Sequence, residues 1–73
     1  MTAWQALRKV AEYARYQERC AAHYYQVASA ARKQGDAQRA AAFRAFGCRC
    51  DGAAAGARNA AKDVLQELRR AGL

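Results

Sequence analysis

Proline and isoleucine are both absent from these 73 residues, and leucine, valine and phenylalanine together hold only nine positions. So few β-branched and large side chains exclude a sheet protein, because strands draw on Val, Ile and aromatic residues. The length allows one small domain and leaves no apolar volume for the enclosed pocket of an enzyme. Three cysteines, an odd number, exclude a disulfide-dense secreted scaffold and read as reduced thiols. Charge enters at Arg8 and Lys9 before a seven-residue apolar run can form, which reads as no secretory signal and a cytoplasmic location. No stretch approaches the roughly 20 apolar residues of a membrane span.

What the chain has is alanine, 21 residues of it, inside a hydrophobic fraction of 53%. Few large aliphatics beside a net charge of +7 would otherwise describe a disordered chain. Alanine is the best helix former, and with no proline to interrupt a helix the composition becomes that of an all-α protein. Arg32-Lys33-Gln34-Gly35-Asp36 is the one strong punctuation mark. It offers cations for a helix C-terminus, a glycine for the left-handed position after it, and an aspartate to cap the next helix. The expectation is a single antiparallel helical hairpin over residues 1–73, with one helix from about 2 to 34, a turn at 35–36, and a second helix from about 37 to 71.

At 100° per residue, Leu7, Val10, Ala14, Gln17, Ala21, Tyr24 and Ala28 share one face of the first helix, flanked by Tyr13, Cys20, Val27 and Ala31. That arc is wider than one partner helix can cover. In the second helix Phe43, Phe46, Cys50, Ala53, Ala57, Ala61, Val64 and Leu68 form the expected inner face. Their phase runs through Gly47, Gly52 and Gly56, which favours one continuous helix over a rival in which residues 47–52 form a loop. Folding about Gly35 sets Tyr24 against Phe46, Cys20 against Cys50 and Leu7 against Val64.

A second row on the same helix is nearly all small: Ala41, Ala45, Cys48, Gly52 and Ala55, with Gln38 and Asn59 at its ends. Such a row lets another helix approach closely and is the expected seam of a homodimer with a four-helix arrangement, unless its alanines are only helix filler. Ordering each residue costs on the order of 1.5 kcal/mol, and one hairpin with so thin a core does not offset that alone.

Chemistry-bearing residues are sparse. Cys48-x-Cys50 with Cys20 and His23 has metal-ligand residue types, but side chains two apart on a helix point about 200° from each other, so no metal site is expected while the helix is continuous. His23 is the sole histidine and has no nucleophile or acid at a working spacing, so neither catalysis nor a cofactor is expected. The acids look like partners for arginine, as in Arg8 with Glu12 and Glu67 with Arg70. Tyr16 and Tyr25 lie at opposite margins of the first helix's apolar arc, and with Arg15 and Arg19 they compose a candidate surface for a protein partner. The same aromatic residues also serve as core and boundary volume. Arg44, Arg58, Lys62 and Arg69 form a basic stripe that would suit nucleic acid as the alternative partner.

In size, and in a long first helix carrying Tyr13, Tyr16, Tyr24 and Tyr25, the chain resembles small phage-encoded inhibitors, among them the helical quorum-sensing anti-activators of Pseudomonas phages. In architecture alone it is similar to plasmid RNA-binding four-helix-bundle dimers. The first resemblance implies a small inhibitor or regulator that dimerises and docks on a host protein. It rests on shape and composition, so it transfers no residue roles.

Overall fold

The computed structural model describes residues 2–72 as two helices, α1 (Ala3–Lys33) and α2 (Ala37–Arg70), packed against each other as a hairpin. Thr2 and Gln5 start α1 with a reciprocal cap: the Gln5 amide donates to Thr2 Oγ1 at 3.1 Å, and the Thr2 amide donates to Gln5 Oε1 at 2.8 Å. The turn is the one the sequence announces. Gly35 takes φ 82°, its amide donates to the Arg32 carbonyl, and the Asp36 amide donates to the Ala31 carbonyl at 2.9 Å. Together these bonds close the last carbonyls of α1. Asp36 then caps α2 by accepting from the Arg39 amide at 3.0 Å. α2 continues unbroken through residues 47–52, which removes the loop alternative.

The two helices meet along a seam of very small residues. Ala14, Ala21 and Ala28 on α1 and Ala40, Gly47 and Ala54 on α2 are buried, each set recurring every seven residues, the period of an antiparallel coiled-coil contact. On α1 this is the face expected from the sequence. On α2 it corrects the expectation. Phe46 and Val64 were placed on the inner face and are 45% and 46% exposed, while Ala40, Gly47 and Ala54 occupy the contact. The reason is steric: two long helices approach closely only where side chains are short, so bulk is pushed to the flanks. The expected meeting of Tyr24 with Phe46 does occur, with ring centroids 5.6 Å apart.

This packing hides little. Among the described residues no large side chain is fully buried. The radius of gyration is 16.6 Å, against about 11 Å for a compact chain of this length. The molecule is a rod of 56 × 16 × 13 Å. None of its described helices is long and apolar enough to cross a membrane.

Candidate interaction surfaces

A two-helix rod leaves two flanks on either side of the seam, and the helical phase sends different chemistry to each. On one flank Tyr13, Tyr16, Cys20, Tyr24 and Val27 of α1 stand beside Phe43, Phe46, Cys50, Ala53, Ala57 and Val64 of α2. None is charged. Tyr24 packs on both phenylalanines, at 6.0 Å from Phe43 and 5.6 Å from Phe46, and these two meet edge to face at 5.8 Å. Arg39 closes the turn end of this cluster, its guanidinium 5.1 Å from the Phe43 ring centroid. Further along, the neighbouring Cys20 thiol holds the Tyr16 hydroxyl above the ordinary tyrosine value, with Tyr24 and Cys50 acting on it as well. That places Cys20 and Cys50 on the same flank, as the fold about Gly35 predicts. Tyr13, Tyr16, Phe46 and Val64 remain exposed on it.

The other flank is polar and basic. Tyr25 lies here, its hydroxyl donating to Asp51 at 2.8 Å with the Cys48 sulfur at 3.6 Å. The Cys48 thiol and the Asp51 carboxylate together push the Tyr25 hydroxyl well above the ordinary tyrosine range. Beneath the ring, Gly47 is the residue that gives it room: a Cβ there would stand 2.6 Å from a ring carbon. Glu18 accepts two bonds from Arg58, at 2.7 and 3.2 Å, and this hydrogen bonding, helped by the nearby Arg15 charge, holds the Glu18 carboxyl below its usual value. Arg32 and Arg44 line a shallow groove near the turn. At the open end Trp4, Leu7, Ala11, Ala61 and Leu65 floor a larger apolar groove of about 520 Å³ rimmed by Arg8, Arg58 and Lys62.

The expected protein-binding set does not form one patch. Tyr16 and Arg19 line a small hollow with Cys20, His23 and Tyr24, whereas Tyr25 lies on the opposite flank and Arg15 acts on Glu18 there. The expected basic set is brought together and enlarged: Arg44, Arg58, Lys62 and, by helical phase, Arg69 share a flank with Arg8, Arg15 and Arg32 of α1. Of the expected dimer seam, Ala41, Ala45, Cys48, Gly52 and Ala55 are all exposed, with Cys48 under the Tyr25 hydroxyl. Cys48 and Cys50 thus point to opposite flanks, and among the described residues no group of three metal-ligating side chains assembles. The Glu67–Arg70 ion pair is present at 2.8 Å, while Arg8 and Glu12 make none. No protein-family model, no curated protein and no solved structure matches the chain, so its surfaces are the ground for a functional reading.

Proposed function

We propose that the chain is a protein-binding module whose docking surface is the aromatic flank, and that a second copy of the chain covers this flank to give a four-helix dimer. The observation that carries the reading is surplus surface. The hairpin exposes 5478 Å², whereas a compact monomer of 8.0 kDa exposes about 4,450 Å². The excess of roughly 1,000 Å² exceeds the ~800 Å² per partner of a standard protein interface. The aromatic flank carries charge only at its margins, with Arg39 over Phe43, Arg19 beside Tyr16 and Lys9 by helical phase, which is the composition of an interface core with a charged rim. Of Arg15, Tyr16, Arg19 and Tyr25, Tyr16 lies on this flank and Arg19 at its margin. In such a dimer the basic flanks face outward, where like charges are furthest apart.

Sedimentation of charge-insertion variants tests this. Wild type and Ala45→Glu, whose new carboxylate lies away from the flank, are expected at twice the 8.0 kDa chain mass. Phe46→Glu and Tyr16→Glu are expected to sediment as single chains with reduced helicity. A folded wild-type chain at single mass at micromolar concentration contradicts the proposal. So does splitting of the dimer by Ala45→Glu with Phe46→Glu still paired, which would move the interface to the small-residue row.

A further inference from the structure

We infer that the basic flank is a binding site for the phosphate backbone of duplex nucleic acid. This goes beyond the dimer and uses a different surface of the rod. Two features of the flank point to a ligand. Its cations, Arg8, Arg15, Arg32, Arg44, Arg58, Lys62 and Arg69, outnumber the three acids on or beside it, Glu12, Glu18 and Asp51, and of these acids only Glu18 is in ion-pair contact, with Arg58. Arg8, Arg15, Arg32, Arg44 and Lys62 have no carboxylate in ion-pair contact among the described residues. This excess of positive charge on one side of a thin rod sets up a field that attracts a polyanion.

Their spacing says which kind. Arg32 and Arg44 stand together near the turn, and Arg8 and Lys62 stand together at the open end. At 1.5 Å per residue the two groups lie about 36 Å apart along α1 and about 27 Å along α2. A nucleotide or a single phosphate reaches only one of them. A straight, continuous polyanion reaches both, and one turn of a double helix, about 34 Å, falls between the two spacings. Both helices run unbroken between the groups, so the interval is fixed before any ligand arrives.

The test is fluorescence anisotropy with labelled duplexes of 8 and 14 base pairs, as RNA and as DNA, from 50 to 200 mM salt. As B-form DNA at 3.4 Å per pair the shorter duplex spans about 27 Å and the longer about 48 Å, so only the longer spans the roughly 36 Å between Arg8 and Arg32. At least tenfold tighter binding of the longer duplex is expected, and the RNA and DNA arms identify which backbone is the ligand. With five phosphate contacts the log–log salt slope is about −4.5, equivalent to a loss of roughly 500-fold across that range. Arg32→Gln with Arg44→Gln lowers the slope by about 1.8 and removes the length preference. Lys9→Gln with Arg49→Gln removes the same charge from outside the flank and leaves both unchanged. Equal effects of the two pairs, or equal affinity for the two lengths, overturn the inference, because either result reduces binding to net charge. Failure of both duplexes at 50 mM salt also overturns it, and binding instead to vesicles containing 30% phosphatidylserine would assign the flank to a membrane surface.

Discussion

Replacing Gly47 by alanine is the sharpest probe of how the two helices pack. In an open helix position the change gains about 1 kcal/mol, because alanine loses less backbone entropy than glycine. Gly47 is not open: the added methyl carbon would lie 2.6 Å from one Tyr25 ring carbon and 2.9 Å from two others. The ring cannot swing away without giving up its hydroxyl bond to Asp51 at 2.8 Å. Overpacking of this kind costs typically 1–3 kcal/mol, so the net effect is a destabilisation of about 1 kcal/mol. Gly52 and Gly56 have nothing within 4 Å of the same added atom. Gly52→Ala and Gly56→Ala should therefore each gain about 1 kcal/mol. Urea unfolding followed by circular dichroism, at one fixed protein concentration so that the proposed association weighs equally on each variant, reads all three. In a Tyr25→Ala background Gly47→Ala should turn stabilising, giving a coupling energy of about 2 kcal/mol. Equal gains from all three alanine variants in the wild-type background, with coupling near zero, would refute the packing of Tyr25 on Gly47.

Two titrations follow from the same flank. Tyr25 ionises above the ordinary tyrosine value of 10.0, so its neutral form contributes stability that is fully present below that pH and lost as pH rises through the raised value. Absorbance near 295 nm should show a tyrosine component ionising above the ordinary range, and Tyr25→Phe should delete it. Glu18 carries the opposite sign: its contribution is present above the ordinary glutamate value of 4.5 and lost as pH falls through its lowered value. Glu18→Gln should flatten the acid limb of the stability curve below that pH, and an unchanged acid limb would show that the pair with Arg58 is not formed in solution.

The parts of this fold legible in the sequence are those that depend on local chemistry. Gly35 and Asp36 announce the turn because a left-handed glycine followed by a capping aspartate serves two helix ends at once. Thr2-x-x-Gln5 announces the start of α1 in the same way, as a capping box present in the sequence but not singled out there. The face of α1 was legible because its buried alanines lie in phase with Leu7, Val10 and Tyr24. The face of α2 was misphased because weighting by hydrophobicity puts Phe46 and Val64 at the centre, whereas close helix contact selects the smallest residues, Ala40, Gly47 and Ala54. Pairs that span the helices, Glu18 with Arg58 and Tyr25 with Asp51, required the register to within a residue, which no local pattern supplies. The same limit explains the candidate protein-binding patch. Arg15, Tyr16, Arg19 and Tyr25 are neighbours along the chain, but 100° steps distribute them around α1, and α2 then separates Tyr16 from Tyr25.

The proposed dimer covers the aromatic flank and leaves the small-residue row open, and the three cysteines report on it directly. Cys20 and Cys50 lie on the aromatic flank beside Tyr16, and Cys48 is exposed within the small-residue row under Tyr25. Alkylation followed by mass spectrometry across a dilution series, from about 100 μM to 0.1 μM, measures the rate at each thiol. With the aromatic flank covered, the Cys48 rate is independent of protein concentration, and the Cys20 and Cys50 rates rise as dilution splits the dimer. Protection of Cys48 at high concentration, or rates at all three thiols that ignore dilution, would contradict it.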